Sequence, residues 1–244
     1  MASASPGDAN DFIESQLDIR LTELEKITDS DVLCFNGSLL GRVDDLFREV
    51  VEKLKSLKTK KSKLTVILTT GGGYIEVVSR IVDTLRHHYI EVDFIVPNYA
   101  YSAGTVLAMS GDAIFMDYYS RLGPIDPQVE NADGHWVPAL GYLAQYERLI
   151  RKANAGTLTT AEAELLIHGF DQAELYHYEQ ARNLSITLLK QWLVKYKFKN
   201  WKKTAGRGKA VTPQMRTNRA ANIAKILNDT EKWHVHGVGF PWMC

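Results

Sequence analysis

The sequence predicts an α/β fold in which a predominantly parallel sheet is flanked by helices. Three observations carry this expectation. Between residues 31 and 118, short β-branched or apolar runs alternate with helix-patterned stretches. The run Leu64 to Leu68 stops at Gly71-Gly72-Gly73, after which Ile75, Val78, Ile81, Val82 and Leu85 recur at three- and four-residue steps. A second run, Val92 to Val96, ends at Pro97 and leads through Tyr101-Ser102-Ala103-Gly104 into an apolar helix over Thr105 to Met109.

The remaining elements follow from the same reading. Residues 1–10 are small and polar and are expected to form a disordered tail, leaving 11–244 as a single domain. Ile13 to Ile27 is a helix, with Leu17, Ile19, Leu21 and Leu24 as apolar members, and Asp31 to Gly37 is the opening strand and its turn. Val43 to Leu57 is helical, and the lysine-rich segment after it is a solvated loop. Past Gln128 the alternation gives way to helical elaboration over 140–230. Asn131 to Gly134 marks a turn, and Leu140 to Ala153 is a helix with Gly156 near its end. Thr159 to Tyr196 is helical, capped by Thr159 or Thr160 ahead of Glu162, with a break expected near Gly169. Thr212-Pro213 opens a last helix to Leu227.

Composition narrows the functional classes. A chain of 244 residues with 45% hydrophobic content can bury a sizeable core, and 29 basic against 29 acidic residues exclude a whole-chain polyelectrolyte role. The first ten residues carry neither a basic nor an apolar signal region, and no run approaches the ~20 apolar residues of a membrane span. Two cysteines, Cys34 and Cys244, give no disulfide framework and no metal-ligand spacing. The expectation is a soluble, cytoplasmic protein with no membrane segment, no metal and no cofactor.

Two βα corners each place a small-residue turn at a helix start, where backbone N–H groups converge, so both can serve one anion-stabilising site. Ser102 is the candidate nucleophile, with oxyanion donors from Ala103 beside it and from Gly72 or Gly73 across the site. The alternative roles are structural: Ser102 as a helix N-cap, and the glycines as a turn needing positive φ. A phosphate loop is disfavoured, because no Gly-Lys-Ser/Thr follows and Glu76 stands where phosphate would sit.

The order of these corners resembles the core of the Clp-protease/crotonase superfamily. Within it, Leu64 to Gln128 is most similar to the serine dehydrogenase proteinase group, distant relatives of signal peptide peptidase A. The resemblance rests on Gly72 and Gly73, on Ser102-Ala103-Gly104, and on Gly123 to Gln128; a weaker echo includes Trp233 and His236. It implies a spiral of βαβ units and a cytoplasmic serine peptidase working through a Ser102 acyl-enzyme. Clp proteases carry their histidine on the strand after the nucleophile helix, but Ser120 to Asp126 contains none. The group's order of Ser, Asp and His instead implies Asp126 as orienting carboxylate and His236 as base. His234 would face the other way on an extended run. Asp126 before Pro127 is also a common turn start. Signal peptide peptidase A relatives use a lysine, for which Lys152 is the nearest match, although beside Arg151 it reads as a solvated pair at a helix end. The superfamily's rings and discs imply a homo-oligomer, and the apolar content of Leu140 to Tyr196 supports one independently.

Other features have plainer readings. His168 and His177 read as surface or packing residues, and His87-His88 ends a helix. From Lys190 to Lys225 there are eleven basic residues and no acidic one, interleaved with Trp192, Tyr196, Phe198 and Trp201. Such a stretch suits single-stranded nucleic acid or an acidic partner. It also suits an amphipathic helix burying Leu188, Leu189, Trp192, Leu193 and Tyr196. The functional alternative to a peptidase is therefore a catalytically inactive peptide- or nucleic-acid-binding module on the same fold.

Overall fold

In the computed structural model, the structure describes residues 9–56, 61–126, 128–130, 134, 136–206, 208–229 and 240–241, with backbone alone for 128–130, 136–138 and 240–241. The main sheet is fully parallel, in the order β1 (Asp31–Asn36), β2 (Lys63–Thr69), β3 (Glu91–Val96), β5 (Ile114–Met116). The run Leu64, Thr65, Val66 is buried throughout, as is Val92, Asp93, Phe94. Continuous burial means that both faces of these central strands are covered, as parallel sheets require. The crossovers are α2 (Val43–Ser56) and α3 (Ile75–His88), packed against each other, and α4 (Ala103–Met109), which touches α3.

Beyond the C-terminal ends of β2 and β3 lies a second, small sheet. It consists of β4 (Tyr99–Ala100), β6 (Arg121–Leu122) and β9 (Phe240–Pro241), with β6 central. A bridge between Thr70 and Ala100 ties it to the end of β2. Strand β7 (Gln128–Glu130) pairs antiparallel with β8 (Trp136–Pro138); of the turn expected at 131–134, residues 131–133 lie outside the described residues.

The helical elaboration begins with α5 (Ala139–Asn154) and α6 (Thr160–His168). Thr159 and Glu162 form a reciprocal capping box, and Gly169 ends α6 where the break was expected. Helix α7 (Gln172–Trp192) runs on into a π-helical turn, Leu193–Lys197, and α8 (Pro213–Leu227) is capped by the Thr212 side chain. Much of the apolar surplus expected over 140–196 is consumed inside the chain. Leu143, Leu175 and Tyr178 form a separate core with Tyr142, Tyr146 and Phe170, while Leu189, Trp192 and Leu193 join the main one. Phe12, Ile13, Leu17, Ile19 and Ile27 are exposed on α1 (Ala9–Thr28), a helix with no buried residue, while Leu165, Ile167 and Tyr176 stay exposed within 140–196. Ala9 and Asn10 belong to this helix, which corrects the expected tail: they continue the amphipathic turn rather than precede it.

The aromatics of the basic stretch are used within the fold. Trp192 is buried, Tyr196 lies under Arg86 at 3.8 Å, and Phe198 packs on Trp201 at 5.6 Å. Arg86 also pairs with Asp112 at 2.7 Å, and Lys199 pairs with the same carboxylate, so the π-helical turn is bolted to the N-terminal end of the sheet. Burial pushes the Lys197 ammonium down to about 8, against the opposing pull of Asp93 and Asp112. Between about pH 8 and the ordinary lysine value, the unfolded chain keeps this proton and the folded chain has released it, so stability rises with pH in that window. Denaturant titrations at about pH 8 and about pH 10 should show this rise in the wild type and a smaller one in Lys197→Met. An equal change in both proteins would remove Lys197 as its source.

Candidate active site

The site begins where β2 ends. Thr70 donates its N–H to Tyr99 O at 3.1 Å and accepts from Tyr101 N–H at 3.0 Å, so the chain leaving β2 lies beside the chain entering the Ser102 corner. Gly72 has φ 108°, and a Cβ there would stand 2.8 Å from Ser102 Cβ and 2.9 Å from Tyr101 O. At Gly73 a Cβ would meet Leu39 O at 2.2 Å. Both positions therefore demand glycine, one for its backbone conformation and its contact with serine, the other for close approach to Leu39. Leu39 fastens the corner from the far side, donating to Gly72 O at 2.8 Å and accepting from Tyr74 N–H at 2.9 Å.

These bonds separate the two glycines chemically. The Gly72 N–H donates to Thr70 Oγ1 at 3.1 Å and is occupied. The N–H groups of Gly73 and Ala103 have no partner among the described residues. Thr70 thus turns one amide inward to itself and leaves its neighbour available, a role its position directly after a strand did not announce. Its methyl also fills the space beside Gly104 that a Cβ would need.

Ser102 is fully buried and holds φ 52°, ψ −123°. Such a backbone costs on the order of 1–3 kcal/mol for a non-glycine residue and persists only when its surroundings over-determine it. Here they do: Ser102 N–H donates to Pro124 O at 3.2 Å, and Ser102 O accepts from Thr105 N–H at 3.0 Å. Thr105 Oγ1 lies 2.7 Å from Ala100 O and accepts Gly123 N–H at 3.1 Å, locking the strand before the serine to the loop opposite. Although Ser102 occupies the N-cap position of α4, its side chain makes no capping bond. Its Oγ donates instead to the backbone carbonyl of Asp126 at 2.6 Å. The helix-cap reading of this serine therefore does not describe it.

The residues considered for proton transfer are distributed unevenly. Asp126 is buried beside Ser102 through its main chain, while its carboxylate Oδ1 accepts Leu140 N–H at 3.0 Å at the start of α5. Lys152 sits in the last turn of that same helix, twelve residues on from Leu140, or ~18 Å along the axis. There it pairs with Glu162 at 2.5 Å, and the pair, with the Thr159 bonds, holds the Glu162 carboxyl at about 2. The structure does not bring Lys152 to Ser102. His236, with His234 and Trp233, lies outside the described residues, as does Cys244. The flanks of that segment are placed: Leu227, ending α8, accepts Ile125 N–H at 2.9 Å, and Phe240 in β9 pairs with Leu122. Both ends of the segment carrying His236 are thus anchored on residues 122–125, immediately before Asp126.

Fold and site together define a ClpP-like α/β protein with a buried serine set against a glycine corner. The chain belongs to the ClpP-like SDH-type serine proteinase family, whose model matches residues 43–212. That span includes both glycines, Ser102, Asp126 and Lys152 and stops short of His236. Two uncharacterized proteins of Methanocaldococcus jannaschii are similar over shorter stretches. One is 40% identical over 70 residues, covering 29% of this chain and 24% of that protein. The other is 34% identical over 95 residues, covering 39% and 31%. The matches thus span about a quarter to a third of these relatives' lengths. Among the described residues no helix is long and apolar enough to cross a membrane.

The bond from Gly72 N–H to Thr70 Oγ1 makes a specific demand. Thr70→Ser keeps the hydroxyl and should leave the Gly72 amide protected, whereas Thr70→Val removes the acceptor and frees it. Amide hydrogen exchange should show Gly72 N–H exchanging faster in Thr70→Val than in the wild type or in Thr70→Ser. Equal exchange in all three proteins would mean that the Thr70 hydroxyl does not hold this amide.

Proposed function

We propose that the protein is a serine peptidase in which Ser102 is the nucleophile and the N–H groups of Gly73 and Ala103 receive the oxyanion. The observation carrying this reading is the contact of the two corners, with Gly72 packed directly on the Ser102 side chain and two backbone donors left unpartnered beside it. Such preorganised donors are each worth about 10²–10³ in kcat. In the chemical step, Ser102 Oγ leaves the Asp126 carbonyl, loses its proton to a base and bonds to the substrate's carbonyl carbon. The carbonyl oxygen takes up the negative charge between the two amides. Collapse of this intermediate breaks the C–N bond, the base returns the proton to the departing amine, and water then hydrolyses the acyl-enzyme by the same route.

For the base we propose His236. Anchoring of both ends of its segment on residues 122–125 supports it, and so does the neutral-range pKa of imidazole. Asp126 is assigned the orientation of this region: its carbonyl holds the resting serine, and its carboxylate fixes α5. The ion pair and remote position of Lys152 argue against a lysine base, since a catalytic lysine needs desolvation. A non-catalytic nucleic-acid module is disfavoured by the use of these aromatics within the fold: Trp192 is buried, Tyr196 lies under Arg86 and Phe198 packs on Trp201.

A fluorophosphonate probe should label the wild type at Ser102, mapped by mass spectrometry, and should fail on Ser102→Ala. That substitution takes the serine donor from the Asp126 carbonyl in a buried bond, so unfolding free energy should fall by about 1–3 kcal/mol, with the protein still folded. Labelling of Ser102→Ala at wild-type level would overturn the assignment. Peptidase activity should fall on acidification through a histidine-like pKa of about 6.5. His236→Ala should lose several orders of magnitude in turnover and Lys152→Ala little; the reverse ranking would move the role to Lys152.

A further inference from the structure

We infer that α1 docks into the groove between α7 and α8 of a second copy of this chain, building a head-to-tail assembly. The inference does not depend on the peptidase reading, since neither surface includes a residue of that site.

Helix α1 is twenty residues long without a buried side chain, and Phe12, Ile13 and Leu17 are 66%, 54% and 57% exposed. Among the described residues its main packing partner is β1, at its C-terminal end, where Leu21 and Leu24 are half-buried. In proteins most helical stability comes from packing one face rather than from propensity. Ile13, Leu17, Leu21 and Leu24 form one stripe at four- and three-residue spacing. Asp11, Glu14 and Asp18 run along its border, and the helix holds five acidic residues against Arg20 and Lys26. Glu14 and Asp18 are exposed and enter no ion pair among the described residues.

The groove is the reciprocal of this surface. Two adjoining cavities of about 450 and 530 Å³ share Lys190 and lie between α7 and α8. Their apolar lining is Ile186 from α7 and Val194 from the π-helical turn, over the buried Ala220 and Ala224 of α8. The rim carries Lys190, Lys195 and Lys225, none paired with a carboxylate among the described residues, together with Arg182, which pairs with Glu147, and one acidic residue, Asp229, at its end. From Arg182 to Lys195 the lining runs ~20 Å along α7 and into the π-helical turn. The stretch from Asp11 to Leu24 covers the same thirteen helical steps. An acidic-edged apolar helix thus meets a basic-edged apolar groove of matching length, in a chain whose net charge is zero. Because donor and acceptor are different surfaces, the contact is heterologous and either closes into a ring or continues as a filament. Helices α1 and α8 both lie outside the matched residues 43–212, and α7 lies within them.

Light scattering of the full chain tests the pairing against the 27.5 kDa monomer mass. The wild type should run at a multiple of that mass at micromolar concentration. Glu14→Lys with Asp18→Lys should reduce it to monomer, and so should Lys190→Glu with Lys225→Glu. All of these positions are exposed, so circular dichroism should show folded protein in each case. Combining the four substitutions reverses both surfaces and should restore the assembly. A wild-type monomer at high concentration would overturn the inference. So would disruption by both reversals without rescue in the combined variant, or assembly indifferent to α1 reversal. Loss of binding to a fluorescein-labelled single-stranded oligonucleotide on groove reversal, with the assembly mass unchanged, would give the basic face to nucleic acid instead.

Discussion

The contact between Gly72 and Ser102 is the constraint on which the rest of the site depends. The two residues are thirty apart in the chain, yet a single added carbon on the glycine would collide with the serine side chain. Their separation is set by the parallel sheet, whose neighbouring strands β2 and β3 end side by side and release both corners at the same edge. The Thr70–Ala100 bridge then carries the alignment past the strand ends. Sheet register, corner spacing and amide direction are therefore one problem with one solution. The strained backbone of Ser102 is held by the same set of bonds, which makes local strain a consequence of the architecture rather than an isolated feature.

The resting state of the serine follows from this geometry. A buried hydroxyl must find an acceptor, and the nearest is a main-chain carbonyl on the loop that covers it. That bond ties Oγ to the loop that covers the serine. The loop itself is tied on one side to Thr105 and on the other to α5 through the Asp126 carboxylate. The C-terminal region returns to the same loop at two points, Ile125 and Leu122. The contacts of Ser102, Thr105, α5, Leu227 and β9 accordingly converge on one short stretch, residues 122–126.

Much of this was legible in the sequence because it rests on local signals. Strand and helix periodicities gave the main sheet, and the threonine–proline and threonine–glutamate caps gave the helix starts. The glycine and serine corners identified the site. What was not legible depended on contacts between distant residues. Nothing adjacent to Thr70 reveals that its hydroxyl occupies the Gly72 amide, or that Leu39 fills the space at Gly73. Asp126 could be picked out by its motif, but not that its carbonyl and its carboxylate serve different neighbours. Apolar content over 140–196 suggested an exposed surplus, whereas the fold buries much of it in a second core and leaves α1 bare. Composition reports how much apolar surface exists; only tertiary structure decides where it remains uncovered.

The central claim is that both corners act on one tetrahedral centre at Ser102. A crystal structure of the protein with a peptide boronate bound tests it most directly. The account predicts a covalent bond from Ser102 Oγ to boron, with one boronate oxygen about 2.7–3.1 Å from the N–H groups of both Gly73 and Ala103. A boronate bound elsewhere, or one whose oxygens point away from those two amides, would contradict it.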